Sequence, residues 1–241
     1  MRVALISDLH GNATALRAAL RDIDQVGVDR TVCLGDTATL GASPVEVLST
    51  LRDLGIPCIE GNHDAFLLDP QLVATYARGG PIAAAIDWCR DALPPWALDY
   101  VRTFVPAMDI DLGGATLRLF HGSPRSHMED LLATTPPERL DVMLGNARTT
   151  VMAGGHTHIQ MLRQHRGTLL VNPGSVGAPF EEFVEGGMPT LMPYAEYATL
   201  EAGRGGVQVT LRRVPVDRRA MRDAAAASTN PLGPMLARQY A

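Results

Sequence analysis

Five separated fragments carry side chains suited to metal binding: Asp8-Leu9-His10, Gly35-Asp36, Gly61-Asn62-His63-Asp64, His121, and Gly155-His156-Thr157-His158. Of the seven histidines, five fall inside these fragments, and His127 and His165 alone lie elsewhere. Random scatter does not give that concentration. Aspartate, histidine and asparagine without sulfur make a mixed oxygen and nitrogen donor set. Such a set suits Mn, Fe, Zn, Co or Ni better than a thiolate site or an all-oxygen Ca or Mg cage. Asp8, His10, Asp36, Asn62, His121, His156 and His158 are more donors than one ion needs. With one bridging carboxylate they suit two ions roughly 3.5–4 Å apart that clamp a transferring phosphoryl group. The fragments read as a two-metal hydrolase.

Elements of secondary structure must bring these fragments together. Arg2 to Ile6 is an apolar run ending at Ser7-Asp8, and Asn12 to Val26 repeats Leu16, Ala19, Leu20 and Ile23 at helical spacing. The strand, loop and helix order recurs in Thr31 to Leu34, then Gly35-Asp36, then a helix over Pro44 to Leu54. Ile56 to Ile59 reads as a third strand that runs into Gly61-Asn62-His63-Asp64. In open α/β sheets ligands gather beyond the carboxyl ends of strands, so these tips are expected to meet in one crevice. Residues 65 to 104 read as helical, a cap or connection broken at Gly79-Gly80-Pro81 and Pro94-Pro95. Ala107 to Leu112, Gly113-Gly114 and Thr116 to Phe120 give a hairpin that delivers His121. A helix over Pro137 to Asn146 follows, with strands at Thr150 to Ala153, Met161 to Gln164, Thr168 to Val171, Tyr197 to Leu200 and Val207 to Val214. Gly174 to Pro193 reads as a polar loop. The tail from Arg218 reads as a helix followed by a frayed terminus.

Length and composition narrow the function classes. The 241 residues fit one domain with a substantial core. A formal charge of -5 argues against an extended nucleic-acid surface, so any attraction for phosphate is confined to the site. All 21 basic residues are arginines, and the absence of lysine excludes Schiff-base chemistry and a P-loop lysine. Cys33, Cys58 and Cys89 show no Cys-x-x-Cys spacing and read as small buried hydrophobes. Neither a signal-peptide pattern nor the ~18 apolar residues of a membrane span is present, so the expected compartment is the cytoplasm, with no membrane partner.

The ordered fragments resemble the signature of calcineurin-like metallophosphoesterases, and the fragments span residues 8 to 158. Asn172-Pro173-Gly174-Ser175-Val176-Gly177 and Arg213-Val214-Pro215 are similar to the small bacterial and archaeal phosphodiesterase branch of that superfamily. The resemblance, with the strand and helix alternation, implies an α/β fold: a four-layer α/β/β/α sandwich of two mixed sheets flanked by helices. A helical insertion over residues 65–104 would stand near the active site. It implies that Asp8, His10 and His158 hold one divalent ion, that Asn62, His121 and His156 hold the other, and that Asp36 bridges them. Manganese is the first choice of metal. It further implies that a metal-bound hydroxide attacks phosphorus in line while His63 serves the leaving oxygen. A metal-bound water and an imidazole both titrate near pH 7, so base and acid can coexist.

Other residues keep two readings. Asp64 is read as a helix cap rather than a chemical group. Asn12 either caps the first helix or touches a phosphate oxygen, and Arg125 is either a solvated loop residue or a bidentate phosphate contact. Related Ser/Thr protein phosphatases extend the second motif to Gly-Asp-x-x-Asp-Arg-Gly, whereas this chain has Gly35-Asp36-Thr37-Ala38-Thr39-Leu40-Gly41. A phosphate-gripping arginine and an aspartate to orient His63 are therefore missing from it. That shifts the expected substrate toward a small phosphodiester or nucleotide. The alternatives are a phosphomonoesterase or nucleotidase, or a non-catalytic protein-binding scaffold. A homo-oligomer is allowed.

Overall fold

The computed structural model describes residues 1–76, 80–146, 149–184 and 189–241. Glycine 79 of the expected helix break, and residues 185–188 of the expected polar loop, lie outside the described residues. In chain order the elements are β1 (Arg2–Ile6), α1 (Ala13–Val26), β2 (Arg30–Cys33), α2 (Pro44–Asp53), α3 (Asn62–Leu68), α4 (Pro70–Tyr76), α5 (Pro81–Ala92) and α6 (Pro95–Val101). They continue with β3 (Met108–Asp111), β4 (Thr116–Leu119), α7 (Pro137–Leu144), β5 (Val151–Ala153), β6 (Met161–His165) and β7 (Thr168–Asn172). The chain closes with β8 (Tyr194–Gly203), β9 (Gly206–Pro215), α8 (Arg218–Ala227) and α9 (Gly233–Gln239).

Two mixed sheets face each other. The first runs β2-β1-β8-β9, with β1 parallel to β2 and antiparallel to β8. The second runs β3-β4-β5-β7-β6, parallel across β4-β5-β7 and antiparallel at both margins. Side chains alternate across a strand, so β1 serves two cores at once. Val3 and Leu5 meet Leu117, Leu119, Val151 and Val171 of the opposite sheet. Ala4 and Ile6 meet Leu16, Ala19, Leu48 and Cys89 of the helical layer. Burial on both faces is why this strand reads as one apolar run rather than as alternating polar and apolar residues. On the far side α7 covers the second sheet, with Leu140, Met143 and Leu144 against Phe120, Met152 and Leu170. The fold is thus the α/β/β/α sandwich. Leu5 is fully buried between the sheets, and Leu5→Ala there would cost about 2–5 kcal/mol.

Two expectations need revision, and a third is narrowed. Ile56 to Ile59 makes isolated parallel bridges, Cys33 to Cys58 and Ile59 to Val105, rather than a named strand. Of the two readings of residues 65–104, cap or connection, the structure favours the packed connection: their described residues form the rest of α3 and all of α4 to α6. Leu67, Cys89, Leu93, Ala97 and Val101 belong to the main helical core. The tail does not fray: Asn230 donates through Nδ2 to Leu40 O (3.0 Å) and Gly41 O (2.9 Å), and Leu232 and Leu236 are buried against Ala85 and Ala225. Pro231 and Gly233 therefore mark a docked turn between two helices. Among the described residues no helix is long and apolar enough to cross a membrane.

Candidate metal centre

Asp8 follows β1, Asp36 follows β2, Asn62 opens α3, His121 follows β4, and His156 and His158 follow β5. The tips come from both sheets, and backbone bonds lace them together. Asp8 N donates to Gly35 O (3.0 Å), His10 N to Asp36 O (3.0 Å), and Gly155 N to His121 O (2.8 Å). Two motif glycines allow the loops to touch. A Cβ on Gly61 would lie 2.1 Å from Asp36 Oδ1, and one on Gly155 would lie 1.9 Å from Ser7 Oγ. Asp8, His10, Asp36, His156 and His158 all have φ between 41° and 68°. This left-handed backbone is costly for residues with a Cβ and persists where surrounding bonds over-determine it, which is characteristic of functional sites.

The side chains converge in two groups, Asp8, His10 and His158 in one and Asp36, His121 and His156 in the other, with each group's donor atoms within 4.8 Å of one another. His10 and His158 bring their Nε2 atoms to 3.0 Å, and His158 Nε2 is 3.4 Å from Asp8 Oδ1. Asn62 Oδ1 is 3.1 Å from His121 Nε2, which places it in the second group. Asp36 Oδ2 lies between the groups, 3.4 Å from His121 Nε2 and 3.8 Å from His10 Nε2. Asp130, on the loop before α7, reaches within 3.4 Å of His156 Nε2.

These residues fit metal ions on the chemistry of their atoms. His121 Nδ1 donates to Leu34 O at 2.7 Å and His158 Nδ1 donates to Ala178 O at 2.6 Å. In neutral rings each Nε2 is then a lone pair. In a neutral ring the His121 lone pair would face Asn62 Oδ1 and Asp36 Oδ2, three acceptors that only a proton or a metal ion on Nε2 reconciles. A cation resolves that conflict. Asp8 Oδ1, His10 Nδ1 and Asn62 Nδ2 are also buried without a hydrogen-bond partner in the structure. The electrostatics point the same way. Burial opposes a charged His121, but the Asp36 and Asp8 carboxylates override it and raise its pKa to about 10. Burial would raise Asp8, yet His158 and His121 bring it down to about 2. Burial and the neighbouring His158 keep His10 neutral, lowered to about 3. The centre thus holds ionised carboxylates and seeks positive charge.

His63 is not among the grouped donors. Its ring stands edge-on to His10, with centroids 5.1 Å apart, and its Nδ1 lies 2.9 Å from Thr39 Oγ1. Asp64 is the cap: Oδ2 accepts from Asp36 N (2.8 Å) and Gly61 N (3.0 Å), and Oδ1 accepts from Thr37 N (3.0 Å) and Thr37 Oγ1 (2.6 Å). One carboxylate therefore staples the second and third motifs.

The two candidate substrate contacts are engaged elsewhere. Asn12 Oδ1 caps α1 through Ala15 N (3.1 Å), and Nδ2 donates to Gly177 O (2.9 Å). Arg125 is half exposed, pairs with Glu129 at 3.3 Å and reaches Val142 O at 3.4 Å. His165 bonds Asp141 at 2.9 Å. The Asn172 to Gly177 motif proves to be a brace behind the ligands. Asn172 Nδ2 donates to Gly155 O (2.7 Å), Ser175 Oγ donates to Asp8 O (2.7 Å), and Gly177 N donates to Asp8 O (3.0 Å). Thr39, Asp130 and Tyr76 were not anticipated from sequence. Thr39 had a visible signal, a hydroxyl inside the Gly35 to Gly41 loop, whereas a lone tyrosine in a helical run has none.

Fold and donor set together define a metal-dependent phosphoester hydrolase class. The model of the calcineurin-like phosphoesterase superfamily domain matches residues 1–190, and the chain belongs to that superfamily. Uncharacterized protein MJ0912 of Methanocaldococcus jannaschii is 29% identical over 192 residues, covering 73% of this chain and 76% of that protein. A metallophosphoesterase of known structure from Sphaerobacter thermophilus is 26% identical, covers 99% of both chains and superposes with a TM-score of 0.73. Hypothetical protein PH1004 from Pyrococcus horikoshii OT3 is 18% identical and shares the fold, with a TM-score of 0.81 over 98% of this chain and 96% of that one.

Proposed function

We propose that the chain is a dinuclear metal-dependent phosphodiesterase acting on a small phosphodiester or nucleotide. The observation that carries this reading is Asp36 Oδ2, set 3.4 Å from His121 Nε2 and 3.8 Å from His10 Nε2, between two donor groups that each have their own ligands. Asp8, His10 and His158 would hold one ion, Asn62, His121 and His156 the other, and Asp36 both, with manganese the first ion to test. Two such ions would supply Lewis acidity to the phosphoryl oxygens and lower the pKa of a bound water to about 7.

The chain's own part is positioning and proton transfer. Thr39 occupies His63 Nδ1, so Nε2 is the nitrogen left to hand a proton to the departing oxygen. Asp64 keeps Asp36 and His63 in fixed relation by holding both loops. A doubly charged monoester calls for an additional cation on its free oxygens. Arg125, the arginine that the sequence offers for that task, is paired with Glu129 instead, which favours the singly charged diester. The test loads metal-free protein with manganese and compares bis(p-nitrophenyl) phosphate with p-nitrophenyl phosphate. The expected result is saturation at two ions with preference for the diester. Saturation at one ion, or a faster monoester, would overturn the reading.

A further inference from the structure

The loop from Asp36 to Gly41 is held far more tightly than a connection between a strand and a helix requires. Asp64 on α3 takes Asp36 N, Thr37 N and the Thr37 hydroxyl. Thr37 O accepts from Gly11 N at 2.9 Å. Cys89 on α5 directs its S–H to Ala38 O at 3.3 Å, and Asn230 near the carboxyl terminus holds Leu40 O and Gly41 O. Leu40 is kept at φ 73°, a conformation that a leucine adopts only when its surroundings impose it. Four separate parts of the chain thus fix one short segment. Among its buried polar side chains Thr39 takes no part in this anchoring; it is fully enclosed, with its hydroxyl oxygen 2.9 Å from His63 Nδ1.

We propose that Thr39 is the positioning residue for His63: its hydroxyl oxygen accepts the Nδ1–H, fixes the ring flip and tautomer, and leaves Nε2 as the atom that exchanges the proton. The inference rests on the phosphodiesterase reading of the site. A half-turn of the ring about its Cβ–Cγ axis would put a carbon against Thr39 and bury both a hydroxyl and a ring nitrogen without partners, so the bond selects one orientation. Ring orientation set by the partner of the second nitrogen is a general property of working histidines. The Thr39 bond leaves Nε2 as the ring nitrogen not engaged by the loop. Because the loop that carries Thr39 also carries Asp36, ring and bridging carboxylate are placed by one rigid segment.

Thr39→Val keeps the shape and removes the hydroxyl. In the metal-loaded protein it should retain the full ion complement, lower kcat about 10–100-fold for a diester with an alkyl leaving group, and leave KM nearly unchanged. The loss should be slight for a nitrophenolate leaving group, which needs little protonation, and Thr39→Ser should restore the alkyl rate. In zinc-loaded protein with 15N-labelled histidine, one hydrogen-bonded Nδ1–H signal of the wild type should vanish in Thr39→Val and return in Thr39→Ser. Should Thr39→Val fail to fold, Thr39→Ala removes the hydroxyl without adding a methyl and is read by the same comparison. Equal losses with both leaving groups would overturn the inference and assign Thr39 to packing. An unchanged alkyl rate in Thr39→Val, beside a lost one in His63→Ala, would overturn it while leaving the phosphodiesterase reading standing. No hydrolysis by the wild type would remove that reading instead.

Discussion

The backbone N–H of His63 donates to Asp36 Oδ1 at 2.9 Å. The carboxylate is thereby divided: one oxygen serves the protein and the other faces both donor groups. Asp36→Asn can keep the first role through its amide oxygen while losing the charge that the second needs. The variant should remain folded and bind both ions at least about 10–100-fold more weakly, with activity falling in step. Calorimetric titration of metal-free protein checks this, and two tight ions in the variant would rule out a bridging carboxylate.

His63→Ala should keep both ions and lose turnover, because the ring lies outside the grouped donors. Proton donation is worth about 10²–10⁴-fold. The deficit should be largest for alkyl leaving groups and smallest for nitrophenolate. A uniform deficit across a leaving-group series would show that the ring grips phosphate rather than protonating the leaving oxygen.

Much of this centre is legible in the chain because its ligands sit at strand ends, where apolar runs such as Arg2 to Ile6 stop at a polar residue. The two glycine-led motifs are legible for a steric reason, since Gly61 and Gly155 mark places where another loop passes within bonding distance. Thr39 shows in the sequence only as a hydroxyl inside the Gly35 to Gly41 loop: its placement goes with the left-handed backbone of Leu40, whose carbonyl is held by Asn230, almost two hundred residues away. The docked α9 was hidden likewise, because its Pro- and Gly-containing lead-in looks like a frayed end until its contacts with Gly41 and Ala85 are known. Tertiary partners overrode local signals in both cases.

We predict that the insertion influences substrate choice through Tyr76 rather than through its tryptophans. Trp88 bonds Thr229 and Trp96 lies beneath Arg52, whereas the Tyr76 ring stands 5.7 Å from that of His63 and 5.0 Å from that of Phe66. Burial first, then Asp36 and Asp130, raise the pKa of its phenol. At 42% exposure Tyr76 leaves part of its surface open beside His63. Tyr76→Ala should lower kcat/KM for aryl diesters about 3–10-fold relative to alkyl diesters, the worth of one aromatic contact. Tyr76→Phe should not. An unaltered ranking in Tyr76→Ala would confine α4 to a structural role.

Glu196 gives stability a pH dependence of its own, with His158 among the charges that act on it. It is fully buried on β8, with Oε1 accepting from Arg213 Nε at 2.8 Å and Oε2 lacking any partner. Burial outweighs the guanidinium and raises its pKa from 4.5 to about 7. Below pH 4.5 the group is neutral whether the chain is folded or not, so its contribution is fully present. As pH rises the unfolded chain ionises first, and stability is lost until the folded group follows near pH 7. The loss is on the order of 2–3 kcal/mol. Glu196→Gln cannot ionise, so in metal-loaded protein its advantage over the wild type should grow between pH 5 and pH 8 and then level off. Denaturant unfolding at pH 5, 6, 7 and 8 measures that difference directly. A gap between the two proteins that stays constant over this range would mean that Glu196 is ionised throughout and that its pairing with Arg213 outweighs its burial.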